Sequence, residues 1–314
     1  KIEYRKDLES SDLPKSAQGI NLSYKLDFVQ TDDKAVTTKN LKSTIVNGTK
    51  GSGTFLNGTI TKDSVESISF LSNNEVPTNV IGSWDASQEK DKTVMAWYID
   101  NDKNGLYEVY IGGQGKVIAP ENMSYFFDSF SKLQTLDLNF LDTSNVTNMT
   151  AMFQNCSLLK TLDLSGLNTK NLTNMNAMFS QCTSLESLNV SSFNTSNVEN
   201  IQSLFYHCTS LINLDLSNWN VSKVTSLYST FDMCSSLKSL NLKNWNTTKI
   251  TSIRTAFYGC SSLSELDLSS FDFSNVTDYT ENSFYNVTVP IYVKNDKSKE
   301  FLLSKNSSLN VIVK

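Results

Sequence analysis

One histidine in 314 residues and no excess of basic side chains remove several chemistries before any motif is sought. With His207 alone, no Ser/His/Asp or Cys/His relay recurs along the chain. Its neighbour Cys208 would point away from it on a helix, so the two do not make a dyad. Cys-x-x-Cys pairs, the spacing zinc sites use, are absent. So are a glycine-rich phosphate loop after a strand and a zinc-protease signature. Lys and Arg number 27 against 32 Asp and Glu, for a net charge of −5. The pI near 5.1 argues against nucleic acid, whose binding needs clustered cations. No run of 18 apolar residues is long enough to cross a membrane as a helix. The expectation is a protein that is not an enzyme and uses no cofactor and no metal. An enzyme hidden in residues 1–75, which lack His and Cys, would have to work with carboxylates such as Asp27, Asp32, Asp33 and Asp63.

The chain does hold apolar residues, 39% of it, enough for a core. Mean hydropathy is still −0.28, and only 19% of residues are charged. Ser, Thr and Asn fill the polar positions, which predicts a neutral, hydrogen-bonding surface. Asn-x-Ser/Thr triplets such as Asn47-Gly48-Thr49 and Asn145-Val146-Thr147 follow from that composition alone. The chain opens on Lys1 and closes on Val311-Ile312-Val313-Lys314 with no wall-sorting motif. This predicts a trimmed product whose membrane link, if it has one, is an anchor upstream of residue 1.

The cysteines reveal the organisation. Cys156, Cys182, Cys208, Cys234 and Cys260 lie 26 residues apart. Leu133, Leu159, Leu185, Leu211, Leu237 and Leu263 keep the same step, and so do Leu136, Leu162, Leu188, Leu214, Leu240 and Leu266. Phe127, Phe153, Phe179, Phe205, Phe231 and Phe257 do likewise. Each unit reads L-x-x-L-x-L-S, a polar turn, a helix-spaced stretch and then F-x-x-C. Alternation in Leu162-Asp163-Leu164-Ser165 predicts a short half-buried strand. Leu172, Met175, Met178 and Phe179 fall on one face of a helix. One strand and one helix per unit predict an α/β repeat solenoid, a right-handed leucine-rich-repeat array of 26-residue units with a β-rich N-terminal domain and β caps. Six strands about 4.8 Å apart would make a continuous parallel sheet of roughly 29 Å.

The rest of the chain divides around this array. Residues 1–20 read as a tether and 21–81 as a small β-rich domain, with alternation at Leu22–Phe28, Thr54–Ile60 and Ser67–Leu71. Residues 82–125 read as a β-hairpin cap, with Met95–Ile99 and Leu106–Ile111 flanking Asp100–Gly105. The array occupies 126–285. Residues 286–314 form a C-terminal cap, with strands at Val287–Val293 and Leu309–Val313, so that no sheet edge is left open.

The units Asn145-Val146-Thr147-Asn148-Met149, Met152-Phe153 and Cys156-Ser157-Leu158-Leu159, followed by Leu162-Asp163-Leu164-Ser165, resemble BspA-like leucine-rich-repeat surface proteins. Gly82-Ser83-Trp84-Asp85-Ala86-Ser87 and Val94-Met95-Ala96-Trp97-Tyr98 resemble the region that often precedes such repeats. The likeness covers roughly residues 82–293. It implies a bacterial cell-surface protein tied to adhesion to host matrix or to other cells. It carries over neither catalytic nor fixed binding residues.

Five features compete as sites. The cysteine column reads as core thiols, with stacked disulfides and metal or redox use as alternatives. Asp100-Asn101-Asp102-Lys103-Asn104-Gly105 matches the first half of a calcium loop, but Ile111 stands where its bidentate Glu belongs, and a polar turn explains the same residues. Asp137, Asp163, Asn189, Asp215, Asn241 and Asp267 form an outward strand column. That column is the candidate binding face, and the competing reading is a solvated ladder. Leu141, Leu167, Phe193, Trp219, Trp245 and Phe271 form a second column, read as core or, if exposed, as a sugar or protein contact. His207 is the fifth. The function expected from all this is a bacterial cell-surface adhesin or recognition module, extracellular, binding a protein or glycan partner through the array. The competing expectation is a structural spacer that displays an N-terminal binding domain.

Overall fold

The computed structural model describes residues 44–46, 54–56, 58 and 60–314. The expected tether and the stretch Leu22–Phe28 lie outside the described residues. Thr54–Leu56 forms a single 3-10 turn where alternation predicted a strand. Its Phe55 is buried, with its ring stacked on Phe126 at 4.9 Å and Phe130 at 5.7 Å.

Strands β1 (Val65–Leu71), β2 (Gly82–Asp85), β3 (Val94–Ile99), β4 (Tyr107–Gly113) and β6 (Thr135–Asp137) share one sheet, in the order β2-β3-β4-β1-β6. The pairs β2–β3 and β3–β4 are antiparallel, with Ile99 opposite Glu108 across the Asp100–Gly105 turn. β1 runs parallel to both β4 and β6, aligning Ile68 with Leu136 and Ser69 with Asp137. The first 26-residue unit therefore joins the sheet that precedes it. Gly112 sits so close to Asn73 that a Cβ there would lie 1.8 Å from the Asn73 carbonyl oxygen.

Later units give strands of two or three residues. β5 (Val117–Ile118) pairs with β7 (Leu141–Asp142), β8 (Thr161–Asp163) with β9 (Ser187–Asn189), and β10 (Asn213–Asp215) with β11 (Ser239–Asn241). β12 (Leu266–Leu268) is followed in parallel by β13 (Ile291–Val293) and β14 (Val311–Val313). Helix α1 (Asp296–Lys305) lies between the last two strands, N-capped by the Asn295 side chain, which accepts from Ser298 N.

This corrects the expected α/β leucine-rich-repeat solenoid. Among the described residues α1 is the one α-helix, it lies outside the repeats, and the strands fall into five small separate sheets. The physical reason is where the backbone N–H groups go. A helix directs each N–H to its own chain four residues back. In these units alternate N–H groups cross to the next unit instead. Met149, Ala151, Phe153 and Asn155 N donate to the carbonyls of Asn174, Asn176, Met178 and Ser180 at 2.8–2.9 Å. The intervening N–H groups of Met152, Gln154 and Cys156 close tight turns onto Met149, Ala151 and Phe153.

That alternation requires left-handed backbone twice per unit. Tyr125, Ala151, Ala177, Ser203, Ser229 and Thr255 have φ between 50° and 59°. Ser129, Asn155, Gln181, His207, Met233 and Gly259 have φ between 58° and 71°. Left-handed φ costs an L-residue with a Cβ about 1–2 kcal/mol. The hydrogen bonds between units hold these positions in place.

The apolar columns meet in one core. Phe127, Phe153, Phe179, Phe205, Phe231, Phe257 and Phe284 form an unbroken stack, with ring centroids 5.4–5.8 Å apart and planes within 14°. Removing one such ring costs about 3–5 kcal/mol. Each Cys thiol is buried and donates to the phenylalanine carbonyl of the preceding unit, from Cys156 to Phe127 through Cys260 to Phe231, at 3.0–3.2 Å. The five thiols are free. Burial pushes them up, Cys182 and Cys260 to about 12. The second column is also core, with Trp219 and Trp245 at most 2% exposed and Trp245 Nε1 donating to Leu216 O at 2.9 Å.

Two outcomes are expected. In urea titration, Ala177→Gly stabilises the protein by about 1 kcal/mol, because glycine relieves the left-handed strain. In a helix the same change would destabilise by about as much, so a destabilised variant would contradict the turn geometry. Under native conditions a thiol reagent modifies none of the five cysteines on the timescale that labels all of them in denaturant. Rapid native labelling would contradict their burial.

Candidate functional site

The outward strand column is built by strand alternation. In Thr161-Leu162-Asp163, Leu162 faces the core and its two neighbours are exposed. Asp137, Asp163, Asn189 and Asp215 are exposed, while Asn241 and Asp267 are half-buried. Each side-chain oxygen turns back on its own chain and accepts from the N–H two residues on. The acceptors Asp137, Asp163 and Asp215 hold Asn139, Ser165 and Ser217 N at 2.9–3.0 Å. Asn189 and Asn241 hold Ser191 and Lys243 N at 3.2 Å. An Asx turn of this kind ends the strand and starts the following bend.

The column is not evenly continuous. Asn189 Nδ2 donates to Asp163 Oδ1 at 3.1 Å across the β8–β9 pair, so an amide separates neighbouring carboxylates. Asp267 stands apart with the terminal strands, where Lys314 Nζ reaches its Oδ2 at 2.6 Å. The Ser165 and Ser217 backbone N–H groups hold Asp163 and Asp215 below the usual carboxylate range, helped by the serine hydroxyls. At Asp267 desolvation works upward and is the largest single influence, but the Lys314 hydrogen bond and charge and the Ser269 hydrogen bonds together outweigh it and hold the carboxyl low. What the column can do is present fixed negative charge and amide groups at regular intervals.

Other columns serve the fold, and their roles are not visible in a search for sites. Buried Thr143, Thr169 and Thr247 each use one hydroxyl twice, donating to and accepting from the backbone of Asn168, Asn194 and Asp272 in the next unit. Asn122, Asn148, Asn174 and Asn200 form successive parallel bridges. In the Asp100–Gly105 turn, Asp100 Oδ2 accepts from Gly105 N and Asp102 Oδ1 from Asn104 N. Asp100 Oδ1 and Glu108 Oε2 are buried without a hydrogen-bond partner. Among the described residues, however, no three His, Cys, Asp or Glu side chains are grouped to hold a metal ion. His207 lies on a turn with its ring 4.3 Å from that of Tyr206, half-buried rather than paired with Cys208, whose thiol donates to Phe179 O.

Short parallel strands, tight turns and a 26-residue step define a β-rich repeat protein. Residues 121–239 and 188–290 match the family described as "Mycoplasma protein of unknown function, DUF285", and together they span more than half of the chain. The chain belongs to that family. No curated protein matches it, and no solved structure does. None of the helices among the described residues is long and apolar enough to cross a membrane.

The Asp163 and Asp215 shifts set a pH dependence. A carboxylate held low in the folded state adds stability that is complete above its unfolded pKa of about 3.9 and is lost as pH falls through the folded value. Asp163→Asn with Asp215→Asn keeps the Asx acceptors and removes the charges. Urea midpoints followed downward from pH 6 are expected to fall more steeply below about pH 4 for the parent than for this double variant. Parallel curves would show that the two carboxylates add nothing to folding.

Proposed function

We propose that this protein is a bacterial surface adhesin or recognition module that binds an extracellular protein or glycan through its strand column. The observation that carries the reading is the run Asp137, Asp163, Asn189 and Asp215. Each is exposed, and each is fixed by a hydrogen bond to its own turn, so the face is ordered before a partner arrives. Pre-ordered side chains lose little freedom on binding, and a fixed acidic face favours a partner with basic side chains. The resemblance to BspA-like surface proteins supports display on the cell surface. The Ser-, Thr- and Asn-rich exterior suits an extracellular setting as well.

The test is solid-phase binding of the full chain to immobilised extracellular-matrix extract at two ionic strengths. The parent is expected to bind more weakly at high salt. Asp137→Asn, Asp163→Asn and Asp215→Asn together are expected to lower affinity about tenfold, equal to about 1.4 kcal/mol, and to flatten the salt dependence. If the triple variant binds like the parent, the strand column is not the contact. If the parent does not bind at all, the adhesin reading falls.

A further inference from the structure

The repeat supplies its own comparison. At any position, residues 26 apart occupy equivalent places, so a residue that departs from its column without serving the fold points to another role. The turn side carries large or charged side chains in three successive units. The column of Asp128, Gln154 and Ser180 continues as Tyr206, Asp232 and Tyr258. The column of Thr150, Asn176 and Gln202 continues as Tyr228 and Arg254. Backbone bonds from Ser203 N to Tyr228 O at 2.9 Å and from His207 N to Asp232 O at 2.8 Å lay the second unit directly against the first. Tyr206, Tyr228 and Asp232 thereby line one open groove of about 370 Å³.

Asp232 is the least expected of these residues. It is only 8% exposed; Gln154, Ser180, Tyr206 and Tyr258 fill the same place without a charge, and Asp128, which fills it in the first unit, has Lys62 Nζ 3.8 Å from its Oδ2. Its Oδ2 accepts from Ser229 Oγ at 3.1 Å, and that hydroxyl lies 2.7 Å from Thr255 Oγ1. Burial pushes the Asp232 carboxyl up, opposed by the Ser229 hydroxyl and by His207. A buried carboxyl costs stability, and among the described residues Asp232 has no ion pair such as Lys62 makes with Asp128. Tyr228, beside it, is 42% exposed.

We infer that this groove binds a neutral oligosaccharide, with Asp232 accepting from sugar hydroxyls and the Tyr206 and Tyr228 rings packing on sugar C–H faces. The lining supports that class. Besides the tyrosines and Asp232 it offers hydroxyls and amides, including Gln154, Gln181 and Ser203, and no Lys or Arg. Uncharged donors and acceptors match hydroxyl groups, tyrosine supplies an apolar ring with a polar tip, and the lone carboxylate disfavours an anionic sugar. The groove shares no residue with the strand column, so this inference stands independently of the adhesin reading.

The experiment is saturation-transfer NMR on the full chain with maltotriose, mannotriose, chitotriose, N-acetyllactosamine and 3′-sialyllactose as probes. At least one of the four neutral probes is expected to bind, and at least tenfold more tightly than 3′-sialyllactose. Tyr228→Ala, a change to an exposed side chain, and Asp232→Asn are each expected to weaken binding at least tenfold. Tyr285→Ala, at an exposed ring outside the groove, is expected to leave it unchanged. The inference is overturned if none of the neutral probes binds, if 3′-sialyllactose binds as well, or if Tyr228→Ala binds like the parent.

Discussion

Everything in the repeated region depends on how the turn-side backbone divides its N–H groups between its own unit and the next. Alternate donors cross to the neighbouring unit while those between close tight turns. Each crossing bond satisfies a donor that burial would otherwise leave unpaired, and it fixes the distance between units at strand spacing. The other ladders follow from that distance. Phenylalanine rings stack at 5.4–5.8 Å, and each thiol reaches a carbonyl of the unit before it. The left-handed residues are the strain that this division of donors imposes.

The periodic part of this arrangement was legible in the sequence, because burial repeats with the chain. The Phe, Cys and Leu columns identify core positions, and Phe179, Cys182 and Leu185 are fully buried. The backbone path was not legible. Leu172, Met175, Met178 and Phe179 sit at spacings that fit a helix, but a corkscrew of tight turns brings the same side chains inward. What distinguishes the two is the sign of φ at Ala177 and Gln181, and neither residue type announces a left-handed backbone. Glycine does so at 259, in one unit only. The continuous sheet fails between pairs, where Ile212 N reaches Glu186 O only at 3.5 Å, against 2.8 Å for Glu186 N on Lys160 O within a pair. Strands of three residues such as Thr161–Asp163 have few further bonds to make up for it.

The candidate sites divide in the same way. Asp163 and Asp215 could be read as outward-facing from alternation alone, and they are exposed. Their second task, ending the strand by accepting from Ser165 and Ser217, depends on a backbone bend that alternation does not encode. The groove at Tyr206, Tyr228 and Asp232 is invisible to a periodic reading because the residues at these positions change from unit to unit. In a repeat protein the regular positions describe the scaffold and the irregular ones carry individuality.

Regularity also weakens the choice of alignment. If the chain slipped by one whole 26-residue step, most Phe, Leu and Cys positions would meet an identical neighbour, so the interior alone discriminates poorly between correct and shifted stacking. Discrimination then rests on contacts that occur once. Phe55 wedged against Phe126 and Phe130 fixes one end, and Lys314 on Asp267 fixes the other. The one-residue insertion that places Phe284, not residue 283, on Phe257 adds a further mark. These unrepeated contacts act as a vernier for the whole molecule, and folding that began in the middle would have to wait for its ends to choose the register.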